Sequence, residues 1–236
     1  MKSENMSSSD YNNKAYGAVH GIARPFGPPI LKARLDESMI NILNKQCDEV
    51  LKDKKAREDL DVSHLLSKGI KGSVEEEIDC NLADDCYAPF RSLVFDSLYL
   101  LHKDFYQKRS VPLERFSVTV ESAWYVRSFA GDFSPAHRHF PMQPEDSNGV
   151  GAMMSSIAYL KVPESITNEN AGGYIDFLHG VCGDLNRSSL LTKPELGDIY
   201  FFPSSLSHTV YPFKGEGERR SWASNIQVKK LKEQGS

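Results

Sequence analysis

Apolar residues recur along the first half of the chain with the spacing of amphipathic helices. Asp36 stands where a helix N-cap is expected, and the stripe beside it consists of Leu35, Met39, Leu43, Cys47 and Leu51. A second stripe, which predicts a helix over residues 88–107, consists of Phe90, Val94, Leu98, Leu101 and Phe105. We therefore expect helical support over residues 30–110.

The hydrophobic period changes to two after Pro112. Apolar and polar residues alternate from Phe116 to Arg127, which predicts a long strand. Shorter strand-like runs, separated by Gly, Pro, Asn and Ser clusters, follow at residues 153–162, 174–178, 198–202, 208–213 and 219–228. Helices followed by six or more strands predict a mainly β fold, an antiparallel sandwich or barrel with helices outside and its core over residues 113–230.

Composition limits the class of protein and its domain organisation. The 236 residues are 40% hydrophobic and 25% charged, which excludes a collagen, a coiled coil or a largely disordered chain. Residues 1–17 are rich in Ser, Asn, Lys and Glu, and we expect them to form a disordered polar tail. Residues 18–232 are predicted to fold as a single domain.

Charge and cysteine content add expectations about partners and location. The 28 basic and 32 acidic residues give a net charge of −4, so we expect neither nucleic-acid binding nor binding to an anionic membrane. No stretch approaches the roughly 18 apolar residues that span a bilayer. Four cysteines without a Cys-x-x-Cys spacing predict a reducing, cytoplasmic setting.

Three histidines are candidate metal ligands. His137 and His139 lie two residues apart on an extended segment, so their side chains point to the same side. Neutral imidazole suits Fe, Zn, Cu or Ni. Downstream, a strand that begins at Gly197 runs into a Pro-Ser turn, and the chain returns at His208. In a barrel this turn brings His208 to the mouth as a third ligand.

Arg219 and Ser221 are candidate anion-binding residues. Strand alternation places both on one face, and a guanidinium beside a hydroxyl can bind a carboxylate through charge-assisted hydrogen bonds. An inward guanidinium is costly to bury without an anionic partner. The alternative is a surface strand in which Arg219 pairs with Glu216 or Glu218.

Five short motifs occur in an order typical of one enzyme superfamily. They are His137-x-His139, Tyr159-Leu160, Gly172-Gly173-x-Ile175-x-Phe177, Phe202-Pro203 followed by His208-x-Val210-x-Pro212, and Arg219-x-Ser221. This order resembles the Fe(II)- and 2-oxoglutarate-dependent oxygenases over residues 116–228. It is most similar to a His-x-His bacterial and phage branch related to the prolyl 4-hydroxylases. Further residues that match the sequence motifs of that branch are Trp124, Gly131-Asp132-Phe133 and Ser155-Ser156-Ile157-Ala158-Tyr159-Leu160.

The resemblance implies a fold, a reaction and a set of site residues. The fold is a double-stranded β-helix, or jelly roll, flanked by α-helices. The implied iron ligands are His137, His139 and His208, while Arg219 binds the distal carboxylate of 2-oxoglutarate with help from Ser221 and Tyr159. The implied reaction is hydroxylation of an unactivated C–H bond in a protein, peptide or small molecule, with a peptidyl proline as the leading candidate. Ascorbate is an additional reductant in this scheme.

The third ligand departs from the commoner family pattern, which is His-x-Asp. Position 139 is a histidine, and three imidazoles also describe a zinc site of the carbonic-anhydrase type. A neighbouring carboxylate is the alternative third ligand, and the candidates are Asp132, Glu145, Asp146 and Asp176.

Two other functions compete with the oxygenase. Gly131 followed by His137-x-His139 matches the start of a cupin motif, which favours a metalloenzyme without 2-oxoglutarate. The other rival is a non-catalytic jelly-roll protein that binds a ligand or serves a structural role.

Overall fold

The computed structural model describes residues 17–23, 27–63, 72–74, 76–80, 84–106, 116–139, 151–180 and 188–230. The strands are β1 (Gly17–Ala23), β2 (Ile30–Leu35), β3 (Glu76–Asp79), β4 (Phe116–Ser128), β5 (Ser134–His137), β6 (Gly151–Lys161), β7 (Ile175–Leu178), β8 (Ser189–Thr192), β9 (Asp198–Pro203), β10 (Ser207–Val210) and β11 (Arg219–Lys230). The helices are α1 (Glu37–Lys52), α2 (Lys54–Asp59) and α3 (Asp84–Tyr106). The predicted disordered tail lies outside the described residues, apart from Gly17, which begins β1.

The strands form two antiparallel sheets that face each other. The larger sheet has the order β1-β2-β9-β6-β11-β4-β3, and the smaller has the order β5-β10-β7-β8. One apolar cluster contains residues of both sheets, among them Ile157 and Phe202 from the larger sheet and Phe177 from the smaller. A second cluster joins the other face of the larger sheet to α1 and α3. The predicted mainly β, antiparallel architecture is therefore confirmed.

Helix α1 forms where the helical stripe predicts it. The Asp36 side chain accepts a hydrogen bond from the Met39 backbone nitrogen at 2.7 Å, which satisfies a donor that the first turn leaves unpaired. Met39, Leu43 and Cys47 are buried against the larger sheet. The stripe thus fixes which face of α1 packs inward.

The prediction of helices alone over residues 30–110 was incomplete. Residues 30–35 form β2, in which buried Leu31, Ala33 and Leu35 alternate with Lys32 and Arg34. Leu35 also fits the spacing of the helical stripe. The longer stripe therefore obscured the six-residue alternation that is typical of a strand. Strand β3 has only four residues, which is too short for alternation to stand out.

Helix α3 covers the larger sheet on the face opposite the smaller sheet. It begins at Asp84, four residues before the predicted start. Phe90 packs edge-on against Trp222 of β11, with ring centroids 4.8 Å apart, and lies 6.0 Å from Phe201 of β9. No helix among the described residues has the length and apolar character needed to cross a membrane.

A buried ion-pair cluster anchors β11 on this helix side. Arg220 Nε donates to Glu218 at 2.8 Å, and Arg220 Nη1 donates to the Asn44 side chain of α1 at 3.0 Å. Arg127 Nε donates to the same Glu218 carboxylate at 2.7 Å. Burial alone raises the pKa of Glu218, but the hydrogen bonds from Arg220 and Arg127 lower it to about 2. With Arg220 fixed toward the helices, alternation turns Arg219 to the inter-sheet face.

Phe90 is expected to be a major contributor to the packing of α3 on the sheet. Phe90→Ala leaves a cavity beside Trp222 and should lower the free energy of unfolding by about 3–5 kcal/mol. Tyr99→Ala removes an aromatic ring that is 48% exposed on the same helix, and should change the free energy of unfolding by only about 0.5 kcal/mol. Urea denaturation of both variants measures the difference, and equal effects would contradict the packing described.

Candidate metal centre

Two histidines meet because β10 pairs with β5. The antiparallel register sets His208 directly opposite His137, and the two imidazole centroids lie 4.2 Å apart. On the other side of β10, His208 pairs with Phe177 of β7, whose side chain belongs to the inter-sheet cluster. The smaller sheet therefore presents both imidazoles toward the larger sheet.

His139 joins this pair from beyond the end of β5. Its ring centroid lies 5.2 Å from that of His137 and 5.3 Å from that of His208. Its backbone nitrogen donates to the Ser204 carbonyl at 2.9 Å, and its ring lies 5.5 Å from the ring of Trp124 on β4. One potential ligand atom from each of the three histidines lies within 4.8 Å of the others.

Backbone carbonyls fix the ring orientation of two of these histidines. Nδ1 of His137 lies 2.8 Å from the Pro135 carbonyl oxygen, and Nδ1 of His208 lies 3.1 Å from that of Leu206. A carbonyl only accepts, so Nδ1 carries the proton and Nε2 keeps its lone pair. A histidine held through one nitrogen by a backbone acceptor is the arrangement that metal-ligating imidazoles usually have.

The environment also keeps the imidazoles in the neutral form that binds a metal. Burial lowers the pKa of His137. Burial and the nearby His137 lower the pKa of His139 to about 4 and that of His208 to about 3. All three rings are therefore unprotonated at neutral pH, and no proton has to leave before a cation binds.

A second cluster of polar groups lies on the larger sheet, where β6 and β11 run side by side. Ser221 pairs with Tyr159 across these strands, and the Arg219 guanidinium carbon lies 5.0 Å from the centre of the Tyr159 ring. Arg219 is 1% exposed, and its Nε donates to the Gly173 carbonyl at 3.1 Å. The surface-strand alternative was wrong, because Arg219 is buried and Glu218 bonds Arg220 instead.

Three atoms of this cluster are buried without a hydrogen-bond partner among the described residues. They are Arg219 Nη2, the Tyr159 hydroxyl and Ser221 Oγ. Burial lowers the pKa of Arg219 and raises that of Tyr159, so burial is unfavourable to the charged form of both groups. Leaving such donors unpaired is costly, and a carboxylate is the ligand that satisfies all three. The residues therefore fit 2-oxoglutarate, while the imidazoles fit Fe(II).

The sequence of this part of the chain matches a known family. Residues 122–225, which include every residue of both clusters, match the family model described as a putative 2OG-Fe(II) oxygenase, where 2OG denotes 2-oxoglutarate. These residues belong to the 2OG-Fe(II) oxygenases. No curated protein sequence matches the chain. Residues 122–225 are thus an oxidoreductase region whose cofactors are Fe(II) and 2-oxoglutarate.

Three solved enzyme structures are similar to the chain at low sequence identity. The α-ketoglutarate-dependent epimerase SnoN from nogalamycin biosynthesis has a TM-score of 0.50 and 12% identity, with 84% of this chain and 76% of SnoN covered. The viral collagen prolyl hydroxylase of Paramecium Bursaria Chlorella virus-1 is 15% identical, with a TM-score of 0.45 over 84% of this chain and 95% of that chain. A Pseudomonas putida prolyl-4-hydroxylase is 16% identical, with a TM-score of 0.46 over 86% and 93%.

The alternative carboxylate ligands do not join the imidazoles in the described part of the oxygenase. Asp132 accepts a hydrogen bond from the Phe129 backbone nitrogen at 2.8 Å, within a turn. Asp176 lies on β7 next to inward-facing Phe177, so it points to the opposite face, where Tyr211 donates to it at 3.0 Å. Glu145 and Asp146 lie outside the described residues.

Sequence reasoning did not find the polar side chains behind His139. Ser155, Ser204 and Asn225 are hydrogen-bonded to one another on the inter-sheet face of the oxygenase. Alternation could have located two of them, because Ser155 lies four residues before Tyr159 and Asn225 lies four residues after Ser221. Their pairing across β6 and β11 depends on a register that the sequence does not display.

Mild acid is expected to destabilise the metal-free oxygenase. An unfolded histidine has a pKa of ~6.5, whereas the pKa values of His139 and His208 in the fold are about 4 and about 3. Below pH ~6.5 the unfolded state therefore binds more protons, and stability present above that pH is lost as the pH falls. In urea unfolding with a chelator, the urea concentration at the midpoint should fall as the pH is lowered from about 7 to about 5. Carboxylates have their usual pKa values below this range. His139→Gln should flatten this slope, and a midpoint that does not change with pH would contradict the lowered pKa values.

Proposed function

We propose that His137, His139 and His208 hold the Fe(II) ion. We also propose that Arg219, Tyr159 and Ser221 bind the distal carboxylate of 2-oxoglutarate. The observation that supports this assignment most strongly is the pairing of two clusters across one inter-sheet layer. Three neutral imidazoles converge within 4.8 Å, and a buried guanidinium has no carboxylate partner among the described residues.

The bound iron and 2-oxoglutarate supply the oxidising chemistry, in which dioxygen provides one oxygen atom to the substrate and one to succinate as carbon dioxide leaves. The side chains have binding and orienting roles. Arg219 and Tyr159 neutralise and orient the distal carboxylate, and the backbone-held imidazoles of His137 and His208 fix the metal. No acid or base from the chain is required.

Aromatic side chains keep water from the imidazole of His208. Phe202 packs edge-on against His208, with centroids 5.0 Å apart, and Phe177 lies 6.3 Å from it. His208 is 5% exposed as a result. A dry site strengthens the interaction between a guanidinium and a carboxylate, and it limits side reactions with water.

The two rival functions account for fewer of these features. A cupin-type enzyme has no use for Arg219 Nη2, the Tyr159 hydroxyl and Ser221 Oγ, which lack a hydrogen-bond partner among the described residues. A non-catalytic scaffold has no use for three convergent imidazoles, two of which have tautomers set by backbone acceptors. The oxygenase accounts for both clusters with two cofactors.

We propose hydroxylation of an unactivated C–H bond as the reaction, with a peptidyl proline as the first substrate to test. The proline assignment follows from the sequence resemblance alone and stays a prediction. The single domain over residues 18–232 and the cytoplasmic location also stay predictions.

Loss of the most buried ligand should abolish turnover. His208→Ala removes one of two imidazoles in paired strands, so succinate formation from 2-oxoglutarate in the presence of Fe(II) should fall to background. The far-ultraviolet circular dichroism spectrum should stay near native. His179→Ala, which alters an exposed histidine outside the cluster, is the control and should keep turnover. Turnover that survives in His208→Ala would show that the ligand assignment is wrong.

Loss of the buried guanidinium should raise the requirement for 2-oxoglutarate. Truncating one partner of a buried charge pair costs on the order of 2–5 kcal/mol, so Arg219→Ala should raise the concentration needed for half-maximal succinate formation roughly 30-fold or more. Arg219→Lys keeps the charge but loses the planar fork, and it should give an intermediate value. An unchanged requirement in Arg219→Ala would place the carboxylate elsewhere.

A further inference from the structure

Four polar side chains form a continuous hydrogen-bonded row on the inter-sheet face of the larger sheet. We name Ser122, Asn225, Ser155 and Ser204 the polar row. Asn225 Nδ2 donates to Ser122 Oγ at 3.2 Å, and Ser155 Oγ lies 2.9 Å from both Asn225 Oδ1 and Ser204 Oγ. The row therefore joins β4, β11 and β6 to the turn between β9 and β10.

The protons of the row can be arranged without a conflict. Asn225 Oδ1 has no proton, so the single Ser155 proton is donated to it. Ser155 then accepts from the Ser204 hydroxyl, which leaves every member with a partner. Ser155 and Ser204 are 1% and 2% exposed, so loss of either hydroxyl leaves an unpaired group away from water.

The backbone of Ser204 continues the row toward the imidazoles. Its nitrogen donates to the Met153 carbonyl at 3.1 Å, and its carbonyl accepts from the His139 nitrogen at 2.9 Å. Ser204 is thus bound to β6 through its side chain and its backbone, and to His139 through its carbonyl.

His139 depends on this attachment more than the other two histidines do. His137 and His208 lie in strands that pair with each other. His139 lies beyond β5, and its described contacts outside the histidine cluster are the Ser204 carbonyl and the Trp124 ring.

We propose that the polar row positions His139 for metal binding, with Ser155 as its central positioning residue. This inference rests on the proposed function, because it takes His139 as a ligand. A shift of Ser204 moves the carbonyl that holds the His139 backbone, and therefore moves one ligand while the other two stay in their strands. The polar row acts through His139 and does not itself touch the metal.

The neighbouring serine provides a matched control. Ser156 is 2% exposed, and its hydroxyl lies 2.7 Å from that of Ser224 on the same two strands. This pair faces the helices, because it shares that face with Trp222 and Ala158. Ser156→Ala thus removes an equally buried hydroxyl that, among the described residues, is not hydrogen-bonded to the polar row.

The test measures Co(II) affinity by calorimetry, together with the free energy of unfolding of each metal-free variant. Ser155→Ala should weaken Co(II) binding roughly 10- to 100-fold, whereas Ser156→Ala should leave it within about twofold. Both variants should lose similar stability, because each leaves a buried hydroxyl unpaired. If Ser155→Ala does not fold, Asn225→Ala replaces it, with Gln227→Ala on the same strand as its control.

His139→Ala separates failure of this inference from failure of the proposed function. Equal Co(II) affinities in Ser155→Ala and Ser156→Ala, with weakened binding in His139→Ala, would overturn the positioning role and leave the ligand set intact. Unchanged binding in His139→Ala would overturn the ligand set, and the positioning role with it.

Discussion

The antiparallel register between β5 and β10 is the constraint on which the rest of the site depends. It places His208 opposite His137, and a one-residue slip would turn one of these rings to the outer face of the smaller sheet. The same register turns the next residue, Thr209, outward, where its hydroxyl donates to the Ser134 carbonyl at 2.7 Å. The convergence of His137 and His208 is therefore a consequence of strand pairing, and the third imidazole is added from the chain just beyond it.

Two adjacent arginines on β11 show how the fold separates stability from function. Arg220 faces the helices, where Glu218 and Asn44 satisfy its guanidinium. Arg219 faces the inter-sheet layer and is equally buried, and its Nη2 has no hydrogen-bond partner in the described part of the chain. A buried charge without a counterion lowers stability, and binding of 2-oxoglutarate at Arg219, as we propose, would remove that cost. We expect 2-oxoglutarate to stabilise the fold as well as to take part in the reaction.

Long periodic segments were predictable from the sequence, whereas only some of the short strands were. The cap at Asp36 and the alternation of β4 and β11 follow from local rules that act within a few residues. Strands β3, β5 and β8 have four residues each, and they are strands only because a neighbour pairs with them. The convergence of His137, His139 and His208 was expected from the motif order, but the role of Ser204 was not, because its backbone carbonyl carries no signature in a sequence.

A crystal structure of the chain grown without oxygen, with Fe(II) and 2-oxoglutarate present, tests the central claim most directly. Anomalous scattering at the iron edge locates the metal independently of the side chains. We expect one iron bound by the Nε2 atoms of His137 and His208 and by the His139 ring, with the distal carboxylate of 2-oxoglutarate on Arg219. An iron that lacks any of the three imidazoles, or a cosubstrate away from Arg219, would contradict the account.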